Sequence, residues 1–201
     1  TEYTTRFIPQ GFGRDRTLEY EELFYTGTGT AKGIEFLAQK KKGKFTGWVS
    51  YTLGEVLYDF EAFGSEPFHA VQDQTHEAKI VANYKWRNWN FGATFIYATG
   101  KPYTAPTGYY QVELLDGTMA DFYEISGKNA VRLPDYHRLD FSITNDFKIG
   151  NSNASIGASV FNVYNRSNVW YKEYEVIEGE MIETDVTLLN FTPSLFFNWQ
   201  L

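Results

Sequence analysis

Residues 191–201 alternate between apolar and polar side chains, and this alternation constrains the fold more than any other feature of the chain. A period of two indicates an extended strand whose successive side chains point to opposite faces. A strand of about 9 to 11 residues with one apolar side is the unit of a transmembrane β-barrel, and an edge strand of a soluble sandwich shares this pattern. Phe196 is the exception to the alternation. The apolar positions are Phe191, Pro193, Leu195, Phe197, Trp199 and Leu201.

Composition narrows the choice between these two structures. The chain has 201 residues, enough for one domain, and no cysteine, which excludes disulfides and thiolate metal sites. Its net charge of −7 argues against nucleic acid as a partner. It lacks the run of about 18 apolar residues that a transmembrane helix needs. If the chain spans a bilayer, it must therefore do so as a closed barrel, which pairs every backbone group inside the lipid.

Six further segments alternate in the same way, and the connections between the seven predicted strands follow a regular order. From the first strand onward these connections run short, long, short, long, short, long. Outer-membrane barrels have short periplasmic turns and longer outer loops in this order, whereas a Greek-key sandwich does not. The fold predicted is all-β, an antiparallel outer-membrane barrel with its carboxyl end in the periplasm and its long loops extracellular. The six segments are 30–40, 45–56, 78–86, 89–99, 137–149 and 154–164.

Four stretches of sequence, in a fixed order, carry a family resemblance. They are Gly33-Ile34-Glu35-Phe36 with Lys41-Lys42-Gly43-Lys44-Phe45-Thr46-Gly47-Trp48-Val49-Ser50-Tyr51-Thr52-Leu53; Tyr97-Ala98-Thr99-Gly100-Lys101-Pro102-Tyr103-Thr104; Arg132-Leu133-Pro134-Asp135-Tyr136-His137-Arg138-Leu139-Asp140; and Asn162-Val163-Tyr164-Asn165-Arg166-Ser167-Asn168. Together they resemble the carboxyl-terminal barrel region of TonB-dependent outer-membrane receptors. The resemblance spans about residues 30–201.

The resemblance implies an active importer of nutrients across the outer membrane, energised through TonB. Such receptors have a barrel of about 22 strands and an amino-terminal plug domain. Seven strands are too few for that barrel, so the chain is expected to be a fragment whose first and last strands pair with strands elsewhere. The implied partners are the plug and remaining strands on another chain or segment, TonB, and outer-membrane lipids, with a surface lipoprotein as a further candidate.

The same resemblance implies two regions in the chain. At two positions the sequence differs from the pattern of the family. Residues 1–29 are expected to form an outer loop with a candidate partial strand at 1–8, and residues 30–201 one incomplete barrel domain. Asp73-Gln74-Thr75 stands where the family often has Asp-Arg-Arg. The family usually ends on Phe, which is recognised during barrel insertion. Here the corresponding signal is Phe197, Trp199 and Leu201, which keeps an apolar end but loses the final aromatic ring.

Two groups of side chains are candidates for binding. The tyrosines of the second long loop suit ligand contact, because aromatic faces stack on sugars and peptides, and they equally suit an aromatic girdle at the membrane interface. Polar residues on one side of segment 137–149 would face the lumen, where they either contact a plug or pair with neighbouring strands. The tyrosines are Tyr103, Tyr109, Tyr110 and Tyr123; the lumen-facing candidates are Arg138, Asp140, Thr144, Asp146 and Lys148.

Metal and catalytic sites are not expected, and neither is a cofactor. His69, His76 and His137 lack metal-ligand spacing. Ser142 follows His137 on the opposite side of the same strand and has no nucleophile elbow, so a barrel enzyme is the least favoured alternative. The acidic stretch at 172–185 reads as a solvated loop, with divalent cation binding as the alternative. A stand-alone eight-stranded barrel, structural or passive, requires residues 1–8 to pair with the terminal strand.

Overall fold

The computed structural model describes residues 25–64 and 66–200. The strand expected at residues 1–8 and the terminal Leu201 lie outside these residues. Apart from one turn of 3-10 helix at Glu61–Phe63, the regular elements of the described chain are strands. They are β1 (Thr28–Lys40), β2 (Phe45–Asp59), β3 (Phe68–His69), β4 (His76–Trp86), β5 (Trp89–Ala98), β6 (Pro102–Tyr103), β7 (Pro106–Glu113), β8 (Met119–Ile125), β9 (Val131–Arg132), β10 (Tyr136–Ile149), β11 (Ser152–Phe161), β12 (Val169–Ile177), β13 (Glu180–Thr187) and β14 (Thr192–Trp199).

Seven long strands form one antiparallel sheet, which we call the main sheet. Its order is β1-β2-β4-β5-β10-β11-β14, and the short β3 adds to the end of β2. The seven predicted strands are confirmed, each boundary to within three residues. β1 and β14 lie at the two ends of the order, and in the part of the chain that the structure describes they do not pair with each other. The protein is therefore all-β and antiparallel, as predicted.

Short turns join the strands at one end of the main sheet, which we call the turn end. Tight hairpins need residues in the left-handed region of backbone space, and Gly43, Arg87 and Gly150 have φ of 104°, 55° and 60°. The predicted alternation of short and long connections is confirmed. Three long connections gather at the other end, and we call them the loop layer: residues 60–75, 99–135 and 162–191.

The pairing register brings the apolar side chains of the seven strands onto one side of the main sheet. One row running across five strands contains Tyr84, Phe91, Ile143, Ala158 and Leu195. The adjacent row, one residue along each strand, points to the other side and contains Asn83, Gly92, Ser142, Ser159 and Ser194. We call these sides the apolar face and the polar face. A slip of one residue in any pairing would exchange them.

Large side chains on the apolar face are uncovered in the described structure. Phe141 is 43% exposed, Phe197 55% and Trp199 51%, so no second sheet packs on this face among the described residues. Buried apolar side chains concentrate instead in the loop layer, where Phe60 and Phe68 form an aromatic cluster with Phe63. The hydrophobic core of the described chain therefore lies beyond the end of the main sheet, not on either of its faces.

The single apolar exception in the terminal strand has a local explanation. Phe196 is the register partner of Gly157, and a Cβ placed on that glycine would lie 2.3 Å from Cζ of Phe196. The ring therefore lies directly over the glycine on the polar face. An aromatic ring that covers a glycine on the neighbouring strand shields its backbone and fixes the register of the pair.

The loop layer contains structure that the alternation did not predict. Residues 100–136 and 165–188 were expected to be loops, and this expectation was wrong. β7 and β8 form one hairpin, β12 and β13 form a second, and β6 pairs with β9. The hairpin turns use Asp116-Gly117 and Glu178-Gly179, whose glycines have φ of 82° and 81°. Acidic residues and neighbouring apolar residues on both parities interrupt the alternation in these strands.

Candidate functional site

The five lumen-facing candidates all lie on the polar face of β10, as predicted. Arg138 Nη2 lies 3.0 Å from Asp140 Oδ2, and the Arg138 guanidinium carbon stands 3.8 Å from the centroid of the Phe161 ring. Asp146 Oδ2 accepts a hydrogen bond of 2.8 Å from Asn90 Nδ2 on the neighbouring strand. Asp146 thus bonds to the neighbouring strand, whereas the ion pair of Arg138 and Asp140 lies along β10 itself. Contact of this group with a plug stays a prediction.

A shallow depression of about 300 Å³ lies in the middle of the polar face. It exists because the residues that meet there on adjacent strands are small: Gly92, Ser142 and Ser159 share one row. Gly92 has no room for a side chain, since a Cβ would lie 2.6 Å from Ser142 Oγ. The polar face is therefore hollowed across its centre, where serine hydroxyls lie beside the carboxylate of Asp140 and the ring of Phe161.

A fully buried carboxylate joins the loop layer to the main sheet, and the sequence analysis gave it no role. Asp73 Oδ1 accepts a 2.6 Å hydrogen bond from the backbone N–H of Val56, and Asp73 Oδ2 pairs with the guanidinium of Arg132. Arg132 also donates to the carbonyl of Gly100 at 3.0 Å. One carboxylate thus holds three chain segments. No local sequence pattern indicated this pairing, because Asp73 and Arg132 lie 59 positions apart.

Three asparagines explain the structure of the Asn162–Asn168 motif. Asn162 is fully buried and has φ of 56°; its side-chain oxygen accepts from the N–H of Arg166 at 3.0 Å, and its amide donates to the Arg166 carbonyl at 2.8 Å. Asn168 bonds both the N–H and the carbonyl of His137. Asn165 accepts from the N–H of Phe191 at 2.9 Å. Asparagine tolerates left-handed φ and mimics a backbone turn, so the motif folds the loop back onto β10 and β14.

Asp135 closes the same region from the other side. Its carboxylate accepts hydrogen bonds from the Tyr97 hydroxyl at 2.7 Å and from the N–H of Gly100 at 3.1 Å. These two bonds, the tyrosine first, hold the pKa of Asp135 below its ordinary value. The Arg132-Leu133-Pro134-Asp135 motif therefore joins the end of the second long connection to its beginning at Gly100 and to β5 at Tyr97.

Three of the four candidate tyrosines bond to the hairpin of β12 and β13: Tyr109 and Tyr123 from the hairpin of β7 and β8, and Tyr103 from β6. The Tyr103 hydroxyl lies 3.1 Å from the Tyr174 hydroxyl, the Tyr123 hydroxyl donates to the Tyr174 carbonyl at 3.2 Å, and the Tyr109 hydroxyl donates to the Gly179 carbonyl. Tyr110 instead stacks on Phe122 with ring centroids 5.9 Å apart. Ligand contact by these side chains stays a prediction. Of the four, Tyr110 presents the most open ring to a ligand, being 55% exposed.

The acidic stretch at 172–185 is a hairpin, so the loop expected there was wrong. The Lys172 ammonium pairs with Glu183 and lies 3.1 Å from Asp185 Oδ1, while the Tyr174 hydroxyl donates to Glu183 at 2.9 Å. The bonds from Lys172 and Tyr174 lower the pKa of Glu183, and the bond to Glu183 raises that of Lys172. Burial is the main cause that raises the pKa of Tyr174. Across the described chain, no group of three or more acidic or histidine side chains forms a metal site.

Two of the three histidines form hydrogen bonds to tyrosines, whereas His69 Nδ1 lies 3.3 Å from Asp73 Oδ2 without a hydrogen bond. His76 Nδ1 lies 2.8 Å from the Tyr51 hydroxyl, and His137 Nδ1 lies 2.8 Å from the Tyr164 hydroxyl. The pairings of β10 put His137 on the apolar face and Ser142 on the polar face, which confirms the predicted separation of these two residues.

Comparisons with protein-family models, curated proteins and solved structures find no match to this chain. Within residues 25–64 and 66–200, no helix has the length and apolarity to cross a membrane. Function must therefore be inferred from the two faces of the main sheet and from the loop layer.

Proposed function

We propose that this chain is part of a TonB-dependent outer-membrane receptor that binds a nutrient outside the cell and imports it actively. In this proposal the main sheet is a segment of the barrel wall, with its apolar face against lipid and its polar face toward the lumen. One observation carries the proposal: the register of six strand pairs keeps apolar side chains on a single uncovered face across the sheet. In water, so large an exposed apolar surface would promote aggregation.

The dimensions of the sheet support a lipid-facing wall. β5 has 10 residues, and at about 3.4 Å per residue and a tilt of about 40° such a strand spans roughly 25 Å, the height of the apolar band of outer-membrane barrels. Aromatic residues lie near both ends of the apolar face, with Trp86 and Trp89 at the turn end and Tyr51 and Tyr97 toward the loop layer. This distribution matches the two aromatic girdles of such barrels.

The open edges of the main sheet support a larger barrel. β1 and β14 each have one edge without a partner among the described residues. Inside lipid an unpaired edge leaves backbone groups unsatisfied at several kcal/mol each, so both edges need further strands. The receptor hypothesis takes these from the rest of the barrel. The eight-stranded alternative takes one from residues 1–8, and cysteines introduced there should then form disulfides with cysteines introduced in β14.

Tryptophan fluorescence tests the assignment of the two faces. Trp89 and Trp199 belong to the apolar face, whereas Trp48 belongs to the polar face and serves as the matched control. Variants that retain one tryptophan, with phenylalanine replacing the other four, are incorporated into phospholipid vesicles. Brominated lipids should quench Trp89 and Trp199 strongly and Trp48 weakly, while iodide should show the opposite order. Equal quenching of the three positions would contradict a lipid-facing wall.

Capture by TonB tests the importing class separately. The complete polypeptide that contains this chain should be retained by the purified carboxyl-terminal domain of TonB, because the family engages TonB through its plug. Lipid-facing tryptophans without TonB capture would favour the passive barrel. Hydrolysis of phospholipid that disappears in His137→Ala would favour the barrel enzyme.

A further inference from the structure

The hairpin of β7 and β8 projects from the loop layer as an exposed arm. We call residues 110–125 the arm. Side chains along it are exposed with the exception of Ala120, which is half-buried. Leu115 is fully exposed at the tip, and Met119 and Ile125 are more than half exposed. A two-stranded hairpin standing in water is marginally stable, so an arm with this much apolar surface is stabilised by a partner.

The arm has one side that is in contact and one that is not. Tyr109 and Tyr123, at its base, turn toward the second hairpin, as their hydroxyl bonds show. The register puts Tyr110, Val112 and Phe122 on the opposite side. In the described residues no element covers this second side, where Phe122 is 44% exposed. The hairpin is a two-stranded sheet, so each strand also offers one unpaired backbone edge.

Charge separates this region from the rest of the protein. Residues 106–125 carry four carboxylates and no basic side chain, and residues 169–187 carry six carboxylates and one lysine, Lys172. Ten carboxylates against one lysine give the two hairpins a net charge of −9, which exceeds the −7 of the whole chain. The single lysine is already paired with Glu183 and Asp185. The uncovered apolar side of the arm carries Glu124, and the register places Glu113 and Asp121 on the other side of the same hairpin.

We infer that the arm binds an extended, cationic polypeptide segment whose alternate side chains are apolar. Apolar side chains pack on Tyr110, Val112 and Phe122, basic side chains face the carboxylates, and the backbone adds to an open edge of the hairpin. The charge selects this partner over two others. An anionic lipid surface is repelled by the carboxylates, and a second copy of the arm carries the same negative charge. The inference does not depend on import.

Three peptides of about ten residues test this inference on the whole chain reconstituted in zwitterionic nanodiscs. One alternates leucine with lysine, the second leucine with glutamate and the third serine with lysine. Binding is measured by fluorescence anisotropy against empty nanodiscs. The leucine–lysine peptide should bind at least about tenfold more tightly than either of the others, and its affinity should fall with added salt. Binding of the leucine–lysine peptide no tighter than that of either other peptide, or no binding above that of empty nanodiscs, would overturn the inference.

Variants locate the binding surface. Val112→Ser should weaken binding of the leucine–lysine peptide about fivefold to tenfold, whereas Val71→Ser, at an exposed valine of another loop, should leave it unchanged. Glu113→Gln combined with Glu124→Gln leaves the shape of the arm intact and should reduce the salt dependence. An equal loss in Val112→Ser and Val71→Ser, or an unchanged salt dependence in the glutamine variant, would remove the arm as the site.

Discussion

The main sheet and the loop layer distribute polar and apolar groups in opposite ways. The sheet exposes its large apolar side chains and keeps small polar ones around a depression, whereas the loop layer buries Phe60 and Phe68 together with Asp73 and Asn162. Backbone pairing is the main interaction within the sheet, whereas the loop layer combines paired strands with buried side-chain hydrogen bonds to the backbone. The loop layer resembles the interior of a water-soluble protein. The sheet leaves the large side chains of its apolar face uncovered among the described residues.

The comparison separates two kinds of stability. Residues of the loop layer are stabilised by contacts inside the chain, so substitutions there act in water and in lipid alike. Residues of the apolar face gain little from contacts inside the chain, so the cost of changing them depends on the surroundings. Matched substitutions in the two regions can therefore test whether the loss of stability depends on the surroundings in one region and not in the other.

Asp73→Ala should produce the largest loss of stability. The substitution removes a buried carboxylate and leaves the Arg132 guanidinium and the Val56 N–H without their acceptor. Breaking a buried ion pair costs about 3–5 kcal/mol, and the partial exposure of Arg132 brings the expected value to the lower end. Hydrogen exchange of the Val56 amide should accelerate about 100-fold, since each 1.36 kcal/mol is a factor of ten.

Asp73→Asn is the matched control for that loss. Its amide oxygen can still accept from the Val56 N–H, so the change in exchange should be clearly smaller than in Asp73→Ala. Equal acceleration in both variants would show that the ion pair between Asp73 and Arg132, and not the hydrogen bond to Val56, stabilises this junction. No acceleration in either variant would mean that contacts inside the chain do not stabilise the loop layer more than the sheet.

Phe141→Lys should produce the next largest loss, and only in a bilayer. Phe141 and Ser142 are adjacent in β10 and lie on opposite faces. A lysine near the midplane of the lipid face costs about 2–4 kcal/mol, whereas one on a wet lumen costs little. Reversible urea unfolding in phospholipid vesicles should therefore show a loss for Phe141→Lys that is absent in Ser142→Lys. Equal losses, or the reverse order, would contradict the assignment of the two faces.

The alternation of side chains predicted the main sheet because lateral pairing in an antiparallel sheet preserves parity. Each tight turn fixes the register of its hairpin, and the register then carries the apolar side of segment 191–201 to its neighbours. The boundaries of β10 and β14 follow from their sequence pattern alone to within two residues. The polar-face positions of Arg138, Asp140 and Asp146 follow for the same reason.

The loop layer could not be predicted in this way because its contacts join distant parts of the chain. Asp73 and Arg132 are separated by 59 positions, and the Tyr103–Tyr174 contact spans 71. No local period encodes such pairs. The missed hairpin of β7 and β8 did carry a local signal in Asp116-Gly117, a dipeptide that favours tight hairpin turns. Tyrosine and glutamate in the flanking strands obscured it.

Acidification should loosen the hairpin of β12 and β13, and with it the contact that Tyr174 makes with the first hairpin, with a smaller effect than either substitution above. The pKa of Glu183 is lowered, so its stabilising contribution is present above its unfolded pKa and is lost as the pH falls through its folded value. The pKa of Lys172 is raised, so its contribution is complete below its unfolded pKa and is lost only at alkaline pH. The contact is therefore intact near neutral pH. Spin labels at Gln111 and Thr184 should report a narrow distance distribution at pH 7 and a broader one near pH 3.

Two variants assign this pH response. Glu183→Gln should broaden the distance distribution already at pH 7, because it removes the charge that pairs with Lys172. Glu175→Gln, on the opposite side of β12, should leave both distributions unchanged. A pH response that persists in Glu183→Gln would assign the broadening to other carboxylates of the loop layer.

Lys32→Ala should have the smallest effect and serves as the surface counterpart of Asp73→Ala. Lys32 Nζ lies 2.7 Å from Glu55 Oε2, but the two side chains are 72% and 36% exposed, so water screens their attraction. Such pairs contribute about 0–1 kcal/mol, and urea unfolding should shift by less than that amount. Lys32 lies in β1, at the open edge of the main sheet. A loss comparable to that of Asp73→Ala would mean that a neighbouring strand covers this edge and removes water from the pair. The loss of stability in Lys32→Ala therefore indicates whether a further strand lies beside β1.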